Sequence, residues 1–355
     1  MIKTPLKFIS LLSGAVLFAS SGFAQAVATD PVGYVTLTVN GSPDGSQTAF
    51  TPLSLSVQQP VLTSGALSED STSAVVTNSS ASYTVDEFAG VDASGNATHY
   101  LQFTASGLIV DIISNTATTI TTGSDLTGLA SSADGYVVKK HSTIADIFGA
   151  ANEAGLLAGG DSGSSDLVNI MASDGGGTFA TYYHQDDPFD GFFGGDGWRV
   201  VGDNATDQSN VVIGPDDGLI VARSAVGDLD IVVSGSVNVI DHLRGLPGGF
   251  SMVAYPYPVD VTLDESGLYT PTNGYVSGGD SASSDLVFVL QSTGTYTTYY
   301  RQDDPFDGFF GGDGWRVVGD NATDQGTVVI PASSSIIVQH TGTGLAWADV
   351  KPFAN

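Results

Sequence analysis

Residues 185–208 read QDDPFDGFFGGDGWRVVGDNATDQ, and residues 302–325 read the same 24 letters. The match extends upstream, where GGDSGSSDLV at 159–168 answers GGDSASSDLV at 278–287. Between these blocks the first copy carries two extra residues, around 174–177, where a hairpin turn tolerates insertion. Downstream, VVIGPDDGLIVARS and VVIPASSSIIVQH agree in pattern only. Upstream, YVVKKHSTIADIFG (136–149) loosely answers SMVAYPYPVDVTLDESGLY (251–269). The repeat units therefore fall at 136–245 and 246–350. A unit of about 100 residues is too long for a solenoid turn or a propeller blade and has the size of a small domain. Two homologous β modules, in tandem or packed on each other, are expected.

Short runs of Val, Ile, Thr and aromatic residues, bounded by Gly, Asp, Ser or Asn, predict the strands. They fall at 33–39, 82–85, 101–104, 107–113, 180–184, 198–201, 211–213, 219–222, 230–233, 296–301, 328–330 and 336–339. One helix is expected at 142–151, where Ser142 can cap and Ile144, Ile147 and Phe148 share a face. Residues 27–135 form a third β region, rich in Thr and Ser, whose pattern does not map onto the repeats. The expected fold is all-β: an N-terminal β region (27–135) and two homologous sandwich- or barrel-like modules (136–245 and 246–350), with one short helix.

Composition agrees. Of 38 acids only Glu69, Glu87, Glu153 and Glu265 are Glu, so Asp, a residue of turns and caps, supplies the rest. With 45 Gly in 355 residues, this excludes a helical bundle or coiled coil. A net charge of −28 with no basic patch excludes a nucleic-acid binder.

Residues 1–26 read as a signal peptide: Lys3 and Lys7, then a mostly apolar run, then Ala24-Gln25-Ala26 as a small-x-small cleavage site. Cleavage after Ala26 predicts a secreted or cell-surface protein, and no membrane span is expected in the mature chain. There is no Cys, so no disulfide can help the exported fold.

The identical loops concentrate the chemistry. Asp186, Asp187, Asp190 and Asp196 lie within eleven residues, and Asp303, Asp304, Asp307 and Asp313 repeat them. Carboxylates this close repel unless a hard cation sits among them, and Ca²⁺ takes six to eight oxygens. The expected ligands are Asp187 and Asp190 with one of Asp186 or Asp196, plus carbonyls near Gly194 and Gly195. Asp216-Asp217 or Asp228-Leu229-Asp230 is next in line. The spacing is not that of an EF-hand, and the same acids also suit a solvated loop of a halotolerant protein. Phe189, Phe192 and Phe193, repeated as Phe306, Phe309 and Phe310, suit either of two roles. They could stack on sugar rings or fold under the loop as its own small core, and the second is favoured.

Catalytic patterns are weaker. Gly160-Asp161-Ser162-Gly163 resembles a serine-protease signature, but its twin reads GDSA, so a structural turn is expected. The five His show no ligand spacing, and His184 is replaced by Arg301 in the twin.

ATDPVGYVTLTV (28–39), directly after the leader, resembles the opening of an uncharacterised secreted family abundant in Verrucomicrobia and their relatives. FTPLSLSVQQP (50–60), DIISNTATTITT (111–122), NEAGLLAG (152–159) and YPYPVDVTLDESGLYT (255–270) are similar to that family as well. The resemblance implies an exported β protein with no assigned catalytic or binding residues. The functional expectation is a non-catalytic surface or extracellular protein, structural or adhesive, Ca²⁺-stabilised through the twin loops. The alternative is a glycan-binding protein of a polysaccharide-degrading bacterium. Its expected partners are other surface or matrix components, a polysaccharide or further copies of itself, and no nucleic acid.

Overall fold

The computed structural model describes residues 31–187, 194–304 and 311–352; the expected signal peptide at 1–26 lies outside them. The chain opens with β1 (Val32–Val39), β2 (Ala49–Ser54) and β3 (Val57–Gln58). It then leaves to build a six-stranded antiparallel sheet in the order β4-β9-β6-β7-β8-β5. These strands are β4 (Val61–Ala66), β5 (Val75–Thr77), β6 (His99–Phe103), β7 (Ile109–Asn115), β8 (Thr119–Thr122) and β9 (Gly135–Lys140). It returns through β10 (Ser142–Thr143) and helix α1 (Ile144–Phe148) to β11 (Leu167–Met171), β12 (Phe179–Gln185) and β13 (Gly197–Val200). β14 (Val212–Ile213), β15 (Gly218–Arg223) and β16 (Leu229–Val237) follow. The last stretch carries β17 (His242–Ala254), β18 (Val261–Thr262), β19 (Leu286–Leu290), β20 (Tyr296–Gln302), β21 (Gly314–Val317), β22 (Val329–Ile330) and β23 (Ser335–Asp349). The protein is thus all-β with one short helix among the described residues. None of the sheets among the described residues closes into a barrel, which agrees with the sandwich form of the expectation. No helix among the described residues is long and apolar enough to cross a membrane.

Each repeat becomes a five-stranded sheet facing a smaller ribbon. In the first, β13-β12-β11-β15-β2 shares its core with the sheet β1-β16-β3. Alternation explains the sharing: Leu37 and Val39 of β1 turn inward while Val32 and Tyr34 stay exposed. Inside, they meet Val168, Trp198 and Val221 of the larger sheet. In the second repeat, β17-β23-β19-β20-β21, edge strand and ribbon are fused. β17 and β23 pair along their whole length and bend at a register shift between Pro247 and Gly249. The inserted sheet has a third core around Phe88, Leu101, Phe103 and Tyr136.

This pairing moves the expected boundaries. Residues 32–58 do not belong with 61–140. They complete the first module, because β2 pairs β15 and β1 pairs β16, and Phe50 there stands where Phe250 stands in the second. β9, assigned to the first repeat from sequence, belongs to the inserted sheet, and β17 starts the second repeat at His242. Two local expectations also change. Residues 82–85 form no strand; the Tyr83 hydroxyl instead meets that of Tyr136. The helix shrinks to α1 because Ser142 is taken by β10, so Thr143 caps it, in a reciprocal box with Asp146. Gly149, at φ +86°, ends it.

The two five-stranded sheets then pack outer face to outer face. Ile220 of the first module meets Met252, Leu290 and Ile337 of the second, flanked by Phe50, Met171, Phe250 and Phe288. The backbone seals the contact reciprocally. Phe50 N–H donates to Ser292 O (3.1 Å) and Phe250 N–H to Gly175 O (2.8 Å). Ser54 N–H donates to Ser333 O and Ala254 N–H to Asp216 O, each at 2.9 Å. The modules are therefore related as the halves of an isologous dimer joined in one chain. Trimming this face leaves a cavity between sheets. Ile337→Ala is expected to cost about 2–4 kcal/mol in urea unfolding; a cost below about 1 kcal/mol would mean that the two sheets do not depend on each other.

Candidate functional site

The identical segments connect β12 to β13 and β20 to β21, and their described ends form two matching necks. At the centre of the first is Arg199, 3% exposed. Its Nη2 donates to Gly194 O (3.0 Å) and Gly195 O (2.9 Å), its Nε to Asn204 O (2.9 Å) and its Nη1 to Trp198 O (2.9 Å). Arg316 repeats this set on Gly311, Gly312, Asn321 and Trp315. A buried guanidinium is tolerable because most of its donors are directed at carbonyl oxygens and a carboxylate stands at the water-facing side, Asp324 accepting from Arg316 Nη1 (3.0 Å) and Asp207 lying 3.9 Å from Arg199 Nη1. The Gln185 and Gln302 amides add a second donor to Gly195 O and Gly312 O, both at 3.0 Å. Gly194 must be glycine: it sits at φ +95°, and a Cβ there would lie 2.6 Å from Asn204 O.

The acids expected to hold a cation divide into three groups. Asp196 Oδ1 accepts from Asp187 N–H (2.8 Å), and Asp187 Oδ2 accepts from Gly195 N–H (3.1 Å). Asp313, Asp304 and Gly312 repeat both bonds at the same distances. Asp186 and Asp303 are exposed, with their own N–H groups bonded to Gly159 O and Gly278 O. Asp190 and Asp307 lie outside the described residues, as do Phe189, Phe192, Phe193, Phe306, Phe309 and Phe310. Among the described residues no three His, Asp or Glu side chains are grouped to hold a metal. The carbonyls of Gly194 and Gly195, expected as cation ligands, both accept from Arg199, and that of Gly195 also accepts from Gln185.

The GDSG stretch is the expected turn. Asp161 Oδ1 accepts from Gly163 N–H and Ser164 N–H, each at 3.0 Å, and Asp280 does the same for its twin. His184 is buried edge-on against Trp198, and that burial pushes its imidazole below the ordinary value.

Sequence reasoning missed a different place. A cleft of about 840 Å³ lies where the inserted sheet meets both modules. Two ties frame it: Val212 N–H donates to Asp92 Oδ2 (2.9 Å), and Leu243 N–H donates to Gly107 O (3.1 Å). From one side come Asp111 and His141, with Nε2 of the imidazole 3.0 Å from Asp111 Oδ1. From the other comes Arg244 of β17, whose Nη1 lies 2.7 Å from Asp216 Oδ1 and 2.8 Å from Asp217 Oδ1. These residues come from four separate stretches with no shared spacing, which hid them. One signal was present. The doublet Asp216-Asp217 is replaced by Ser333-Ser334 in the twin turn.

One guanidinium cannot hold a buried carboxylate and a partly exposed one equally. Burial, with the Asp217 charge beside it, pushes Asp216 up to about 6 against the pull of Arg244. Burial also acts on Asp217, but the charge and hydrogen bond of Arg244 outweigh it and hold that carboxyl below its ordinary value. His242, buried behind them, is pushed down to about 3 by burial and by Arg244.

Between about pH 4 and about pH 6 the folded state therefore keeps a proton on Asp216 that the unfolded chain has lost. The stability this proton brings is full below the unfolded value and is lost as pH rises through the folded one. Asn carries no such dependence. Asp216→Asn is expected to gain on the wild type between about pH 4.5 and about pH 7.5 in urea unfolding, and a difference constant across that range would count against the raised value. Compared with family models, curated proteins and solved structures, the chain finds no match in any of the three.

Proposed function

We propose that this chain is an exported, acidic, non-catalytic protein of the cell surface or extracellular matrix, with a structural or adhesive role. The observation that carries this reading is the duplicated neck. One 24-residue element occurs twice, held each time by the same buried Arg, Gln and Asp contacts, on two modules packed into one body. Two identical elements on a shared support favour bivalent engagement, which raises avidity without any new contact. The partners are other surface or matrix components, including polysaccharide or further copies of the chain. Export rests on the leader pattern at 1–26 and on the resemblance carried by 28–39.

Ca²⁺ stabilises the twin loops in this reading. Asp186 and Asp303 stand exposed at the necks, close in sequence to Asp190 and Asp307. A cation there also relieves the repulsion of a chain at −28. Millimolar CaCl₂ is expected to raise the melting temperature by several degrees over EDTA at equal ionic strength, and Asp190→Asn with Asp307→Asn to remove the shift. A shift no larger than that from Na⁺ would leave the loops as solvated acidic surface.

The glycan-binding reading uses the same twin loops, with Phe189, Phe192 and Phe193 and their copies as stacking faces between anchored ends. Pull-down on insoluble polysaccharides separates the two. Retention abolished by Phe192→Ala with Phe309→Ala supports glycan binding, whereas retention that ignores both changes supports adhesion through another surface.

A further inference from the structure

We infer that the cleft between the inserted sheet and the twin modules binds an organic cation, an ammonium or guanidinium group carried on an apolar stem. The volume, about 840 Å³, is that of a small-molecule site. Its charge is one-sided. Asp111, Asp125, Asp174, Asp216 and Asp217 line it against the single guanidinium of Arg244, which two of those carboxylates already hold. An anion entering this cleft meets repulsion, and a cation meets unspent negative charge.

The carboxylates are also held in position. Asp111 is 54% exposed and oriented by His141, Asp217 is 31% exposed and oriented by Arg244, and they reach the cleft from opposite sides. Asp125 and Asp174 each fix one oxygen in a turn of their own, on Thr127 and Gly176. One deeply buried lining side chain, His141, keeps a nitrogen, Nδ1, without a hydrogen-bond partner, whereas Asp216 Oδ2 lies 3.5 Å from His242 Nε2. Nδ1 is an acceptor when Nε2 of His141 donates to Asp111 (3.0 Å), and a buried acceptor without a donor is what a cationic N–H group satisfies.

The other wall is apolar, with Leu126, Leu129, Ile170 and Met171 lining it. Such a wall suits a methylene stem. The rings in the lining, Tyr182 and His141, are both buried, so neither offers an open face for a sugar to stack on. The internal comparison agrees. The turn that faces the inserted sheet carries Asp216-Asp217, and the twin turn carries Ser333-Ser334.

The test is calorimetric titration of the full mature chain with four probes: 1,5-diaminopentane, a blocked Ala-Lys-Ala peptide, cellobiose and glutarate. Both cations are expected to bind and to weaken in about 0.5 M NaCl, while cellobiose and glutarate do not bind. Asp111→Asn and Leu129→Lys, both at exposed positions, should each weaken the cation roughly tenfold; unchanged melting curves would confirm intact folding. Tighter binding of the diamine identifies a free amine as the ligand, and tighter binding of the peptide identifies a basic side chain of a polypeptide. Cation binding that falls with salt but ignores both variants would reflect the diffuse surface charge and overturn the inference. Binding of cellobiose alone, or of no probe at millimolar concentration, would overturn it equally.

Discussion

Two sheets with apolar outer faces cannot both meet water, and in this chain each is the other's cover. Burying Ile220, Met252, Leu290 and Ile337 between them removes surface that would otherwise favour aggregation. The four reciprocal backbone hydrogen bonds do a separate job. They give the ends of β2 and β17, the outermost strands of their sheets, partners in the opposite module. Everything near the cleft follows from this packing. It brings β17 beside the turn at 214–217, so Arg244 meets Asp216 and Asp217, and it provides two walls over which the inserted sheet can close.

The necks answer why the loops match letter for letter while the strands beneath them do not. A strand such as β15 asks only for apolar side chains on its inward face, so LIVAR and IIVQH serve equally. A neck asks for particular groups. The guanidinium must reach several carbonyls at once, a task Lys cannot perform, and one backbone position must be glycine. Asp187 and Asp196 must cross-brace the two ends. Gln185, Asp187, Gly194, Gly195, Asp196, Arg199 and Asn204 are thus constrained by one another.

The sequence disclosed the β class, the duplication and most strands, because period-two alternation and a 24-letter identity are local signals. It hid the partnership of β1 and β2 with the first repeat, since GYVTLTV and AFTPLS share only alternation with their counterparts in β17. Pairings across an insertion have no local signature. The loop acids were legible as a cluster, but not the division of labour within it. A carboxylate that braces a backbone N–H and one that faces water look alike in one-letter code. The cleft was least legible of all, assembled from residues 111, 141, 216, 217 and 244 by tertiary packing alone.

The insertion between β3 and β10 also makes the two modules unequal in the time they need to form. Its ends lie close together, with Lys139 Nζ donating to Gln58 Oε1 at 2.8 Å, so it strains neither neighbour. Yet it stretches the search. Thr51 must find Val221 about 170 residues away, whereas Ser251 finds its counterpart Val338 about 87 residues away. Closing the longer loop costs more entropy before any contact repays it, and higher contact order slows folding. The later half of the chain is therefore expected to assemble faster. Once formed, it offers the carbonyls of Ser292 and Ser333 and an apolar face as a template on which β2 docks. The earlier half, though synthesised first, completes its sheet against a surface its successor supplies.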